Sequence, residues 1–129
     1  MKKVVNRYLQ GGFYSLAGIL HFIMPEFYHG LIPDWLPAHG VINIMAGISE
    51  VILGVWLLSG KLPRLSAMFG TAMLIAFIPS HIYFIQIGSC LPGESGLCVP
   101  EWIAWVRLVI IHPVLILWLW AKRTVQQAK

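Results

Sequence analysis

Five polar side chains lie inside long apolar segments of this sequence, where ionisable residues are rare. They are one glutamate, one arginine and three histidines, namely Glu50, Arg107, His21, His81 and His112. A carboxylate or guanidinium near the centre of a bilayer costs about 2.5 to 3.5 kcal/mol on insertion scales, so each should face the protein interior and find a partner. We therefore expect these side chains to surround a polar pocket between helices.

Glu50 and Arg107 are natural partners in this set because their charges are opposite. Their depths along the helices differ by a distance that an arginine side chain spans. An ion pair between them would fix helix packing without any ligand, and this structural interpretation explains both residues. In the functional interpretation, Arg107 holds an anion or a quinone carbonyl and Glu50 exchanges protons. The sequence leaves both interpretations open.

Two of the three histidines lie beside prolines: His81 is two residues after Pro79, and His112 is directly before Pro113. Each proline frees the carbonyl four residues earlier, which is that of Ile75 in the first case, and a nearby imidazole could satisfy it. The histidines could instead belong to the ligand pocket, or coordinate haem, although four short helices are not expected to enclose a haem. An ideal α-helix places Arg107 and His112 about 140° apart, which would direct one of them away from a shared pocket.

The long apolar segments that contain these residues make the whole sequence unusually hydrophobic. Of the 129 residues, 58% are hydrophobic and 11% are charged, and the mean hydropathy is +0.77. A soluble domain has roughly a quarter of its residues charged, and a disordered chain has few aromatic residues. Both classes are therefore excluded, and the lipid bilayer is the expected surrounding of this protein.

Four segments are long enough to cross the hydrocarbon core, which takes about 20 residues per helix. They cover residues 8–24, 41–59, 65–87 and 102–121. The connections between them are short, so consecutive segments should run antiparallel. We therefore expect an all-α, integral membrane bundle of four transmembrane helices, formed by a single domain over residues 1–129.

The remaining charges indicate how such a bundle lies in the membrane. Eight basic residues fall on one side of it: Lys2, Lys3, Arg7, Lys61, Arg64, Lys122, Arg123 and Lys129. The opposite side holds four acidic residues, Glu26, Asp34, Glu94 and Glu101. Lysine and arginine are enriched in cytoplasmic loops, so we expect both termini in the cytoplasm and the protein in the inner (cytoplasmic) membrane. No basic cluster is interleaved with stacking aromatic residues, which argues against nucleic acid as a partner.

Cys90 and Cys98 both lie in the third connection, on the predicted outer side, where a disulfide is permitted. Closing this short loop would contribute about 2.5 kcal/mol by the chain-entropy estimate. A redox-active pair would be expected to have Cys-x-x-Cys spacing, and a zinc site would need further ligands beside the thiols. A structural disulfide is the preferred interpretation, and no metal site is predicted.

Four stretches of the sequence, one for each predicted span, carry a resemblance to a known family. They read AGILHFIMPEFYHGLIPDWLP, IMAGISEVILGVWLL, AMLIAFIPSHIYF and VRLVIIHPVLILWLW. Together they resemble the DoxX family of small membrane proteins, which implies a four-helix membrane bundle linked to a quinone-coupled sulfur oxidoreductase. By this resemblance His21, Glu50 and Arg107 match recurring family positions. His81 and His112 stand where many members have asparagine and glutamine.

The residues and the resemblance together predict an accessory subunit of a membrane redox system, with a pocket for a quinone-like or small polar ligand. His21 and His81 would donate hydrogen bonds to that ligand, and a soluble redox partner would supply the substrate chemistry. The chain contains no nucleophile paired with a base, so whether it is an enzyme stays open, as does assembly into a homo-oligomer. The competing hypothesis is a non-catalytic packing, assembly or small-solute transport component.

Overall fold

A computed structural model of the protein describes residues 2–93 and 96–121, which form helices joined by loops. In chain order the elements are α1 (Lys2–Ile23), α2 (Pro25–His29), α3 (His39–Ser59), α4 (Pro63–Gln86), α5 (Glu101–Val106), a π-helical turn (Arg107–Ile111) and α6 (His112–Trp120). The predicted all-α fold class is confirmed over these residues. Some charges used to predict the topology lie outside the described residues: Glu94, Lys122, Arg123 and Lys129.

Three helices are long and apolar enough to cross a membrane: α3, α4 and the continuous helix Glu101–Trp120, which α5, the π-helical turn and α6 form together. They match the second, third and fourth predicted spans to within two residues. α1 covers the first predicted span but is not among the candidate spans. Its hydropathy is lowered by polar residues, among them Lys2, Lys3, Asn6, Arg7, Gln10 and His21.

α1 and α3 approach each other closely because small residues face each other along their interface. A Cβ atom on Gly18 would lie 2.6 Å from the carbonyl oxygen of Gly47. A Cβ atom on Gly54 would lie 2.5 Å from the backbone nitrogen of Ser15. Such distances leave no room for a side chain, and membrane helices commonly associate through small residues at this spacing. The backbones of α1 and α3 are therefore in direct contact.

The hydrophobic core lies between α1, α3, α4 and α6. It is formed by Tyr14, Leu53, Leu57, Ala67, Met73, Leu74 and Leu119, all buried. At one end of the bundle, the connections after α2 and α4 pack together around Leu31, Phe84, Leu91 and Ala104. Cys90 and Cys98 are joined by a disulfide in the second of these connections. These two connections therefore cover one end of the bundle.

The last helix departs from α-helical hydrogen bonding at the π-helical turn, directly before Pro113. There the N–H of His112 donates to the carbonyl oxygen of Arg107, five residues earlier. A turn that closes after five residues brings its ends to nearly the same side of the helix, whereas an α-helix separates them by about 140°. The π-helical turn therefore brings Arg107 and His112 closer in direction than an α-helix would, although only Arg107 lines the cavity described below.

The contact between α1 and α3 predicts that adding one methyl group at Gly18 destabilises the protein. Gly18→Ala should cost about 1 to 3 kcal/mol because the new Cβ collides with the backbone at Gly47. Gly12→Ala is the matched control in the same helix, since nothing lies within 4 Å of a Cβ at Gly12. Thermal unfolding in detergent, followed by circular dichroism, measures both. A G18A protein as stable as G12A would contradict the close approach.

The disulfide predicts that neither cysteine thiol is available in the oxidised protein. Alkylation of the denatured, unreduced protein should add no mass, whereas alkylation after reduction should add two labels, on Cys90 and Cys98. Intact-protein mass spectrometry measures the difference. Full labelling without reductant would show that the thiols are free.

Candidate functional site

A cavity of about 510 Å³, here called the central cavity, lies between α3 and α4 beneath α2 and the connection that follows it. Four of the five polar residues singled out in the sequence line it: His21 from α1, Glu50 from α3, His81 from α4 and Arg107 from the last helix. The fifth, His112, lies behind His81, with the ring centroids 4.7 Å apart in an edge-to-face arrangement. The volume lies within the range of roughly 300 to 1,000 Å³ that is usual for small-molecule sites.

The rest of the cavity wall is largely apolar. Aromatic rings come from Tyr28, Trp35, Phe69 and Phe77, and aliphatic side chains fill the gaps between them. An apolar wall with a few converging polar groups is the usual composition of a ligand pocket, because the wall removes the ligand from water and the polar groups orient it. The central cavity could therefore receive a small molecule with an apolar body and a polar end.

Asn43 fixes the orientation and the tautomer of His21. The amide nitrogen of Asn43 donates to the backbone carbonyl of His21 at 2.9 Å. Its side-chain oxygen consequently faces Nδ1 of His21, at 2.7 Å. An amide oxygen can only accept, so Nδ1 must carry the hydrogen. In the neutral ring the other nitrogen, Nε2, is then left with a lone pair.

That lone pair faces Glu50. Nε2 of His21 lies 3.5 Å from Oε2 of Glu50, and both side chains are about nine-tenths buried. Within the described part of the chain, Oε2 has no hydrogen-bond partner. Two lone pairs in close proximity repel unless a proton lies between them, on either the carboxyl group or the imidazole. His21 and Glu50 thus form a pair suited to holding one proton.

Arg107 is not in contact with Glu50, contrary to the predicted ion pair. Residues 2–93 and 96–121 contain an ion pair within 4 Å at Glu50, but its other member is His21. Arg107 and Glu50 both line the central cavity and influence each other's charge at longer range. The physical reason is that the hydrogen bond to Asn43 holds the His21 ring beside Glu50, so that histidine is the neighbour of the carboxyl group.

Tyr28 adds a hydroxyl group at the cavity from outside the candidate spans. Its ring stacks on that of His21, with the centroids 3.6 Å apart and the planes 22° apart. Burial raises the pKa of Tyr28, and the carboxylate of Glu50 raises it further, although the charge of Arg107 opposes this. The hydroxyl group therefore keeps its proton at neutral pH and can donate a hydrogen bond.

His112 has a structural partner in α4, the helix that contains Pro79. Its Nε2 lies 2.5 Å from the carbonyl oxygen of Leu74, so this nitrogen must donate. Pro79 frees a different carbonyl, that of Ile75, because it removes the hydrogen bond to that position. His112 thus bonds to the α4 backbone near the proline, but not to the freed carbonyl that the sequence predicted as its partner.

His81 and His112 do not fit a haem between them. Bis-histidine ligation needs one nitrogen from each ring directed at an iron on a plane between the two rings. The edge-to-face contact leaves no space for that plane, and Nε2 of His112 already binds the Leu74 carbonyl. Elsewhere in residues 2–93 and 96–121, no three His, Cys, Asp or Glu side chains are grouped closely enough to hold a metal ion.

Asn43 and Tyr28 are the two site residues that the sequence did not single out as pocket candidates. Asn43 could have been found because it precedes Glu50 by seven residues, which places both on one face of α3. Tyr28 could not, since its position depends on how the short helix α2 folds back over His21. The stacking of Tyr28 on His21 arises only in the tertiary structure, so no local sequence pattern indicates it.

The comparisons with known proteins correct the family assignment. The resemblance to DoxX is wrong, because the family whose pattern matches the chain is a different one. No curated protein and no solved structure shows a significant match. The match covers residues 10–123, nearly the whole chain, and its description is "Domain of unknown function (DUF8561)". The chain belongs to the DUF8561 family.

Proposed function

We propose that this protein is an integral membrane four-helix bundle whose central cavity binds a small ligand with an apolar ring and a carbonyl or anionic oxygen, as in a quinone headgroup. The redox-subunit role predicted from the sequence rested largely on the DoxX resemblance, so it is not carried forward. What remains is the chemistry of the cavity itself.

Membrane insertion of all four long helices is supported by the apolar side chains that they leave exposed. α1 has an outward surface of large apolar residues even though its mean composition is more polar: Val4, Val5, Leu9, Phe13, Leu16, Ile19, Phe22 and Ile23. Its polar residues Gln10 and His21 are buried instead. A soluble monomer rarely exposes such a continuous surface, so α1 is proposed as the fourth span.

The charges that the structure describes agree with the proposed orientation. Lys3, Arg7 and Lys61 lie around one end of the bundle, where α1 begins and α3 ends. Glu26 and Asp34 lie in the segment that covers the other end. The basic end is proposed to face the cytoplasm, by the usual excess of lysine and arginine there.

The observation that supports a ligand is that Glu50 and Arg107 both line the central cavity without forming an ion pair with each other. A structural ion pair would hold the two side chains in contact, since a buried charge without a partner is costly. Arg107 instead presents its donors to a space of about 510 Å³ that is mostly walled by apolar groups. A carbonyl or anionic oxygen of a bound molecule would supply the acceptor that Glu50 does not.

The His21–Glu50 pair is proposed to hold its shared proton on Glu50, as a neutral hydrogen-bonded pair. A neutral pair avoids the cost of burying charges, and the lone pair on Nε2 of His21 is the acceptor for the carboxyl proton. A ligand oxygen that enters the cavity could exchange this proton with Glu50. His81, Tyr28 and Arg107 would orient the ligand.

A second candidate function is a non-catalytic packing or assembly component. The hydrogen bonds from His112 to the Leu74 carbonyl and between His21 and Asn43 favour it, because each joins two helices without a ligand. In that case the central cavity would contain only water or lipid. The two candidates differ in whether the cavity has affinity for a small molecule.

Ligand binding is tested with a short-chain ubiquinone analogue added to the protein in neutral detergent, followed by quenching of tryptophan fluorescence. Trp35 lines the central cavity, so binding should quench its emission. Arg107→Gln should weaken binding about 10- to 100-fold, because a charge-assisted hydrogen bond contributes about 1.5 to 3 kcal/mol. Extraction and mass spectrometry of the gently purified protein would show whether a small molecule is already bound.

Arg64→Gln is the matched control for Arg107→Gln. Arg64 is exposed and does not line the central cavity, so its replacement should leave the affinity unchanged. Two results of the quenching experiment would count against a specific site: quenching that does not saturate, and quenching that is equal in both variants and the original protein. Either result, together with an extract that contains no small molecule, would favour the packing component.

The neutral His21–Glu50 pair predicts that Glu50→Gln is nearly as stable as the original protein. The glutamine amide can donate to Nε2 of His21 in place of the carboxyl proton, so the cost should stay below about 1 kcal/mol. Asn43→Leu should cost about 1 to 3 kcal/mol, since it leaves Nδ1 and the backbone carbonyl of His21 unpaired. Thermal unfolding measures both. A loss of several kcal/mol in E50Q would mean that the pair is ionic.

A further inference from the structure

A second pocket, here called the basic pocket, lies at the end of the bundle opposite the covered end. It has a volume of about 180 Å³ and is formed where α1 begins, α3 ends and α4 begins. Three cationic side chains line it, those of Lys3, Arg7 and Lys61, together with Asn6, Gln10 and Trp56. None of the polar residues proposed to bind the ligand of the central cavity belongs to it.

Among residues 2–93 and 96–121, no carboxylate lines the basic pocket. The acidic side chains of this described part, at positions 26, 34, 50 and 101, lie outside the segments that form this end. Three positive charges around one small space repel each other, and the repulsion is relieved by an anion. The sequence analysis explained these charges only as a topology signal.

Arg7 has donor capacity that the described residues do not use. Its Nε is buried and has no hydrogen-bond partner among residues 2–93 and 96–121. The guanidinium group packs closely against Gly60, where a Cβ atom would lie 2.5 Å from Nη1 and where the backbone φ of +69° also favours glycine. A planar guanidinium with free donors matches a phosphate or carboxylate group.

The neighbouring amides favour an anion as well. Trp118 donates its indole N–H to the side-chain oxygen of Asn6 at 2.8 Å, which leaves the amide N–H₂ of Asn6 as a donor. Trp118 and Trp56 also place two indole rings at this end, and tryptophan is enriched at the level of lipid headgroups in membrane proteins. The volume is below the roughly 300 to 1,000 Å³ of a small-molecule site, so the occupant is of headgroup size.

We propose that the basic pocket binds a phosphate group with net negative charge, held by Arg7 and Lys61. Such a group occurs in the headgroup of an anionic phospholipid and in free phosphate compounds. Basic pockets between helices on the cytoplasmic side commonly receive phospholipid headgroups. This proposal concerns a different end of the molecule and does not depend on the ligand of the central cavity.

The test compares the melting temperature of the protein in neutral detergent at low salt with three additions: phosphatidylglycerol, phosphatidylcholine or inorganic phosphate. Phosphatidylglycerol should raise the melting temperature by several degrees, whereas zwitterionic phosphatidylcholine should not. Arg7→Gln and Lys61→Gln should each raise the phosphatidylglycerol concentration that gives half of this effect about tenfold or more. Native mass spectrometry of the same samples counts bound lipid and gives a readout that does not require equal stability of the variants.

Arg64→Gln removes the same charge at the same end without touching the basic pocket, so it should keep the full effect. A rise with inorganic phosphate as large as that with phosphatidylglycerol would assign the pocket to a free phosphate compound. No rise with either addition and no bound lipid, or an equal loss in R64Q and R7Q, would overturn the proposal. The quinone analogue should bind R7Q as tightly as it binds the original protein. This measurement therefore distinguishes failure of the basic-pocket proposal from failure of the proposed ligand binding in the central cavity.

Discussion

The close contact between α1 and α3 is the constraint on which both sites depend. Gly18 and Gly47 let the two backbones touch, and one turn further along the interface Asn43 bonds both the ring and the backbone of His21. If the helices were separated by ordinary side chains, the imidazole would not reach Glu50. At the other end of the same interface, Arg7 lies against Gly60. One glycine-mediated contact therefore positions the proton-holding pair and the cationic side of the basic pocket.

A second constraint is the break in backbone hydrogen bonding at two prolines. Pro113 has no N–H, and the turn before it widens so that the His112 N–H reaches the Arg107 carbonyl. The widened turn directs His112 to the backbone of α4 at Leu74, close to Pro79. In an apolar surrounding each such backbone group must find a partner within the protein. The two prolines thus determine how the last helix meets α4 and where Arg107 enters the central cavity.

The sequence predicted three of the long helices and the main ionisable residues of the cavity because both follow from solvation. Long apolar segments gave the positions of α3, α4 and the last helix to within two residues. Of the side chains expected to face inward, those of His21, Glu50 and His112 are buried. The partners of these side chains could not be predicted. Charge alone favours Arg107 for Glu50, whereas the observed neighbour, His21, depends on an amide two turns away on α3. The family resemblance failed for a related reason, since motifs of glycine, proline and apolar residues reflect membrane packing and do not by themselves identify a family.

The distance between Glu50 and Arg107 has an energetic consequence. Two opposite charges at 4 Å in a medium of effective dielectric constant near 20 attract each other by about 4 kcal/mol, and Glu50 and Arg107 do not form this contact. Glu50 instead has His21, which can share its proton. The guanidinium of Arg107 stays charged and only donates, and Glu50 and Tyr28 influence it at longer range. In the proposed function, an acceptor in the central cavity adds to that influence. A bound oxygen acceptor balances the charge of Arg107 more fully than an apolar occupant, which is why the cavity is expected to select ligands by their polar end.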